Sequence, residues 1–388
     1  MRRIRGDERE GEIYFRGLRG DRLSVPASLA ALEQKAKEVC KPQAWDYVAG
    51  GAGGESTVRA NREAFDRWRL VPRMLRDVSQ RDTSTEILGT RWPAPVMLAP
   101  VGVQGIIHPE GEVATARAAA ALGIPMTFST AASRPMEEVA KALGGGLGWY
   151  QLYWSKDPEL TASFLRRAEA AGFKALVVTL DTPMLGWRER DLQYPYLPFL
   201  EGHGIANYVS DPVFRARLAK PPEEDPQAAI ALWGAIFGNQ TLTWQNLRFL
   251  REHTKLPILL KGILHPEDAA RSLDAGMDGL IVSNHGGRQV DGALAALDAL
   301  PPILEVVRGR VPVLFDSGIR RGSDAVKAIA LGAKAVLLGR LYIWGLAIAG
   351  EQGVRDAATN FLADLDLTLG LCGFTSLRDL NPSVLVRV

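Results

Sequence analysis

The chain has 388 residues, 47% of them hydrophobic and 23% charged, with a formal charge of +2. That is the composition of an ordinary soluble protein with material for one large α/β domain or two average ones. The near-neutral balance excludes bulk electrostatic capture of nucleic acid or of an anionic membrane, and two cysteines far apart, Cys40 and Cys372, argue against a disulfide framework or a zinc site.

The opening MRRIRGDEREGE has no apolar stretch behind it and does not read as a secretory signal. No run of about 18 apolar residues suggests a membrane span, so a cytoplasmic protein is expected. Residues 1–95 are expected to form a cap of helices and a small hairpin. From residue 96 onward short apolar runs recur: VMLAP (96–100), PMTFST (125–130), WYQLY (149–153), ALVVTLD (175–181), PILLK (257–261), GLIVS (279–283), VPVLFD (311–316) and AVLLG (335–339). Near-continuous runs of this kind suit strands buried on both faces. Helical segments alternate with them. EGEVATARAAAALG starts at Glu110, and PMEEVAKAL starts with Pro135 as first helical residue. DPELTASFLRRAEAAG has an acidic N-cap, Asp157, and a glycine stop, Gly172. HPEDAARSLDAG and RRGSDAVKAIALG repeat that grammar. The eightfold alternation predicts a single α/β domain over 1–388, a (β/α)8 TIM barrel over 96–388 with an N-terminal helical cap. A doubly wound dinucleotide fold would carry GxGxxG after its first strand, and none stands there. The segment from about 189 to 240 is too long for a plain βα connection. Since it leaves the end of strand four it is expected to be a lid, against the alternative of a subunit contact or floppy insert.

A barrel gathers its strand C-termini around one mouth. Those positions are Pro100, Val101 and Gly102; Ser129; Gln151 and Tyr153; Thr179 and Asp181, then Arg188; Lys261; Ser283, then His285 and Arg288; Asp316, Ser317 and Gly318, then Arg320; and Gly339 with Arg340. The stretch SNHGGRQVD (283–291) sets a candidate general base beside an anion holder; the bland alternative is a polar loop capping a helix. DSGIRRG and LGR put small residues and arginines at helix starts, where barrels hold phosphate. Lys261 ends an otherwise apolar strand and needs an anionic partner, a lost proton or an escape to the rim. His108, His203, His253 and His265 form no HxxxH or HExxH spacing, so no metal site is expected. On the residues alone, a Schiff-base enzyme using Lys261 and a non-catalytic binding barrel stay open.

SNHGGRQ, LLKGI, QLYW, TLDTPMLGWRERD, LFDSGIRRG and LGR occur here in the order found in the FMN-dependent L-2-hydroxy-acid oxidizing family, which the chain resembles from about residue 14 to 380. GEIYFRGL, YVAGGAGGE, GWRERD and PPEEDPQAA resemble most its lactate 2-monooxygenase branch. The resemblance implies FMN across the barrel mouth. Its phosphate would lie on Gly318, Arg320, Gly339 and Arg340, with Ser317 in the same loop, and its ribityl chain near Asp316. Ser129, Gln151, Thr179 and Ser283 would hydrogen-bond it, Pro100, Val101 and Gly102 would pass near N5, and Lys261 would face N1. It further implies His285 as base with Asp181 behind it, Arg188 and Arg288 on a carboxylate, and Tyr47 and Tyr153 as hydrogen-bonding partners. The implied activity is oxidation of an L-2-hydroxy acid, L-lactate first, by dioxygen. Acetate, carbon dioxide and water are the products if pyruvate is retained; pyruvate and hydrogen peroxide are the products of the oxidase alternative. A homotetramer or homo-octamer is implied as well. Gly102 stands where many of these oxidases have alanine and the monooxygenase branch glycine, so a missing methyl near N5 is expected to change how product and oxygen share the space. Ala131 and Ala132 are smaller than their family counterparts, with Tyr194 and Tyr196 of the lid expected to refill the pocket.

Overall fold

A computed structural model of the chain describes residues 4–388. Eight parallel strands close into a barrel in sequence order: β1 (Val96–Leu98), β2 (Met126–Ser129), β3 (Gly148–Leu152), β4 (Leu176–Thr179), β5 (Ile258–Ile263), β6 (Gly279–Val282), β7 (Val313–Phe315) and β8 (Ala335–Leu338). Each expected apolar run overlaps one strand, although β3 begins one residue before its run and β5 extends two residues past its own, and helices on the outside connect them. Pro135 differs by one position: it is the N-cap, and the helix is Met136–Leu143.

Side chains on a strand alternate between faces. Here one face lines the barrel interior and the other packs on the helices. Met97, Trp149, Val177, Leu259, Ile281, Leu314 and Leu337 fill the interior as one apolar cluster. Two residues further along, the same inward column reads Ala99, Gln151, Thr179, Lys261, Ser283, Asp316 and Gly339. The interior thus changes from hydrocarbon to hydrogen-bonding groups over one pleat, at the C-terminal end only. The other end is closed by the expected hairpin, Thr85–Ile87 paired with Thr90–Trp92. Its Trp92 is buried and meets Trp149 edge-on, with ring centroids 5.4 Å apart.

The cap comprises helices Gly6–Leu18, Leu29–Val39, Pro42–Ala49 and Ser56–Asp66. A pairing not expected from the sequence, Trp68–Leu70 antiparallel to Leu385–Arg387, ties it to the chain's end. The expected lid is built of short helices, Glu189–Gln193, Ala206–Val209, Pro212–Ala216 and Pro226–Ile236. Asp211 and Asp225 cap the last two. Tyr208 and Phe214 are fully buried, with Tyr208 edge-on to Phe164 of the helix Pro158–Ala170. The middle of this segment is therefore fixed to the barrel wall. Its exposed large apolar residues, Leu192, Tyr194 and Leu200, lie nearer its start.

Candidate active site

The C-terminal mouth opens into a cavity of about 150 Å³. Its walls come from the ends of most barrel strands, from Tyr47 and Val48 of the cap, and from Phe199 and Phe237 of the lid. His285 stands in the turn after β6 with φ of +58°, a left-handed backbone that non-glycine residues adopt at a cost of about 1–3 kcal/mol. Neighbouring groups hold it there. The His285 N–H donates to Ser283 Oγ (3.0 Å), Gly286 N–H to Ser317 Oγ (3.0 Å), and Gly287 N–H to Asn284 Oδ1 (3.1 Å). Asn284 in turn exchanges paired amide bonds with Asn61 of the cap, at 2.9 and 2.7 Å.

The imidazole bridges two groups. Nδ1 is 2.7 Å from Asp181 Oδ1 and Nε2 is 3.5 Å from the Tyr153 hydroxyl. Thr182 Oγ1 donates to the same Asp181 oxygen at 3.0 Å. Gly262 makes room for this carboxylate. It sits at a register shift in β5 with φ of +104°, and a Cβ there would lie 2.7 Å from Asp181 Cβ. Burial pushes His285 below the ordinary histidine value, against the pull of Asp181, with Lys261 and Arg188 adding to the fall. Burial raises the Asp181 carboxyl, but His285 and Lys261 outweigh it and hold it down to about 2. The resting pair is a neutral imidazole beside an anionic carboxylate. Burial, with Asp181 next, raises the Tyr153 phenol, which stays protonated.

Lys261 does not escape to the rim. Its ammonium donates to Ser283 Oγ at 2.8 Å and lies 3.3 Å from Asp316 Oδ2. Burial lowers it, but Asp316 and Asp181 outweigh burial and keep it charged. A neutral lysine poised for Schiff-base chemistry is absent from this arrangement.

The arginines are less well compensated. Arg288 lies over the Tyr47 ring at 5.2 Å and donates to Gly50 O at 2.7 Å. Arg340 donates only to the carbonyls of Val48, Gly286 and Gly50, and Arg320 to Ile319 O. Among the described residues, none of the three has a carboxylate within ion-pair distance. Burial lowers all three, Arg288 to about 10, and Arg340 falls further through Arg288 and Arg320. Three half-buried cations facing one cavity leave it in need of an anion. Arg188 is half-satisfied, donating from Nε to Arg288 O (3.1 Å) and from Nη2 to Gln289 Oε1 (3.0 Å).

Of the residues expected at the site, Tyr47, Pro100, Val101, Gly102, Ser129, Tyr153, Arg188, Lys261, His285, Arg288, Asp316, Ser317, Gly318, Arg320, Gly339 and Arg340 all line this cavity. Asp181 and Thr179 line the neighbouring cleft instead. Ser283 is fully buried beneath the site, where it accepts from Lys261. Gln151 is buried too. Its Oε1 accepts from Ser129 (2.9 Å) while its Nε2 has no partner. One expectation is corrected. Tyr194 is exposed and Tyr196 packs edge-on against Tyr47 at 6.4 Å, so Leu185, Phe199 and Phe237 form the side wall. A methyl at Gly102 would lie 2.5 Å from Ala131 O. Of the remaining histidines, His265 and His108 each accept a nearby backbone N–H at Nδ1, and none lines the cavity. The residues missed by sequence reasoning are Phe199, Phe237, Gln289 and the Asn61–Asn284 pair. Only the GGRQ context hinted at Gln289.

An arginine cradle, an amide donor and a histidine–carboxylate pair thus meet in one barrel mouth, an arrangement suited to an anionic ligand and a proton transfer. The FMN-dependent dehydrogenase family model matches residues 36–387. An L-lactate oxidase of Lysinibacillus sphaericus (strain C3-41) is 46% identical over 97% of both chains. A 4-hydroxymandelate oxidase of Amycolatopsis orientalis is 42% identical over 92% of this chain and 98% of its own. A crystal structure of mandelate oxidase superposes with a TM-score of 0.81 at 41% identity, covering 91% of this chain and 96% of that one. The chain belongs to the FMN-dependent dehydrogenase family, and its chemistry is the FMN-dependent oxidation of a 2-hydroxy acid.

Proposed function

We propose that this enzyme oxidises L-lactate with dioxygen as acceptor, and that the keto acid is decarboxylated before it leaves, so that lactate and O₂ become acetate, carbon dioxide and water. The observation that carries the reading is the Tyr153–His285 pair, backed by Asp181 from the neighbouring cleft, facing one cavity with Arg288, Arg320 and Arg340, which among the described residues lack acidic partners. Arg188 and Arg288 hold the substrate carboxylate as guanidinium forks. Tyr47 and Tyr153 hydrogen-bond the carboxylate and hydroxyl. His285 Nε2 takes the substrate proton, and Asp181 stabilises the imidazolium that results. Bound FMN supplies the two-electron acceptor. Its phosphate would be held by Gly318, Arg320, Gly339 and Arg340, with Ser317 beside them, and Asp316 would hold the ribityl hydroxyls. Gln151 Nε2 is a free donor for a flavin carbonyl, with Ser129 and Thr179 alongside. Ser283 accepts from Lys261, whose charge would stabilise an anionic reduced flavin. Pro100, Val101 and Gly102 form the facing wall.

Retention of the keto acid is supported by the stacked lid rings over the cavity. Phe199 and Trp233 lie 4.6 Å apart, and Trp233 and Phe237 4.8 Å. The second reading, release of pyruvate and hydrogen peroxide, is favoured by the likeness to an L-lactate oxidase. The test is oxygen uptake on L-lactate with acetate, pyruvate and peroxide measured together. Acetate equal to oxygen consumed supports the proposal, and stoichiometric pyruvate and peroxide replace it with the second reading. Failure of L-lactate to reduce the bound flavin, when other L-2-hydroxy acids do, removes lactate as substrate.

A further inference from the structure

Behind the Gly102 wall lies a buried acid that the chemistry above does not use. Glu112 sits in the first turn of the helix Gly111–Leu122 and is fully buried. Its Oε1 accepts from the backbone N–H of Gln104 at 3.0 Å and of Ser133 at 3.1 Å; its Oε2 has no partner. Those two N–H groups belong to different loops. One follows β1 and carries Pro100, Val101 and Gly102; the other follows β2 and carries Ala131. The loops touch where Val103 N–H donates to Ala131 O at 2.8 Å, with Val103 strained at φ of +57°. Gly105 N–H also donates to Ser133 Oγ at 2.9 Å. Gln104 completes the support. Its Nε2 donates to Val101 O at 2.9 Å, and its Oε1 accepts from Thr115 Oγ1, on the same helix as Glu112, at 2.6 Å. A surface residue of the first helical turn would serve the helix dipole equally well without burial. Burying a carboxyl here raises it to about 7 against the help of its backbone donors, a cost that calls for a return.

We propose that Glu112 is a positioning residue, clamping the two loops so that Gly102 and Ala131 form a wall of fixed shape beside the reacting groups. This rests on the flavin reading above. Displacing such a wall by a fraction of an ångström alters reaction geometry more than folding. The test uses the FMN-loaded enzyme and its Glu112→Ala and Glu112→Gln variants. One readout is the dissociation constant for sulfite, which adds to flavin N5 and bleaches the visible absorbance. The other is the ratio of peroxide released to carbon dioxide formed on L-lactate. Glutamine keeps an oxygen acceptor, so Glu112→Gln is expected within about twofold of the parent, while Glu112→Ala shifts both readouts by about tenfold. Parent-like values in Glu112→Ala overturn the proposal, as does a Glu112→Gln variant changed as much as Glu112→Ala. Should Glu112→Ala fail to fold, Glu112→Asp, with its carboxylate drawn back by one methylene, takes its place with the same expected shift and the same overturning result. A parent enzyme that binds no FMN overturns the flavin reading instead, so the two failures are separable.

Discussion

His285 carries the largest expectation of any single residue. His285→Gln should keep the yellow flavin and slow its reduction by substrate about 10²–10⁴-fold, the usual contribution of a positioned base; rapid reduction in a stopped-flow experiment contradicts its assignment as base. Its pH dependence has a definite sign. Only neutral imidazole accepts a proton, and His285 lies below the ordinary histidine value of 6.5. Flavin reduction should therefore be flat through neutral pH and fall only on acidification below that value. The same depression makes protonation more favourable in the unfolded chain. This contribution to stability is present above 6.5 and is lost as pH falls through the folded value. At the other end of the cavity, Arg320→Gln should weaken FMN about 10–100-fold, the worth of a charged hydrogen bond, and leave riboflavin affinity nearly unchanged. Equal losses for both ligands, measured by fluorescence titration, would remove Arg320 from the phosphate site.

Among the elements, the lid is the one whose chemistry depends on rings rather than charges. Phe237 stacks on Trp233 and meets Tyr153 edge-on at 5.5 Å. Phe237→Ala should therefore raise the share of peroxide released on L-lactate severalfold while the melting temperature changes little, since the segment is anchored separately through Tyr208 and Phe214. A product ratio unchanged by the substitution separates the lid from retention. This element also marks the boundary of what the sequence discloses. The barrel strands were legible because strands buried on both faces must be continuous apolar runs. The polar ends were legible because a period of two carries Leu259 to Lys261 and Ile281 to Ser283 on one face. The inward side of a short lid helix has no such rule. Whether Phe199 or Tyr194 faces the cavity depends on how Tyr208 and Phe214 seat the segment. Glu112 was hidden for a similar reason, because an acidic residue in a first helical turn reads as surface until the loops above it are placed. The three-residue pairing of Trp68–Leu70 with Leu385–Arg387 is too brief to leave any alternation.

For the molecule as a whole, stability and chemistry sit at opposite ends of the barrel. Trp92→Ala removes an indole packed on Trp149 and should cost roughly 3–5 kcal/mol, seen as a lower melting temperature. Turnover at 25 °C should be unaltered, and a parallel loss would mean the two ends are mechanically linked. The family's fold constrains this division, since βα loops can vary at the mouth while the floor keeps the shape. The indole-sealed floor has a kinetic consequence. With the far end packed by Trp92 on Trp149, the mouth is the direct route for hydroxy acid, gas and product, so each visitor's dwell time becomes the next one's queue, and thickening the solvent should slow exchange there before it touches bond-breaking.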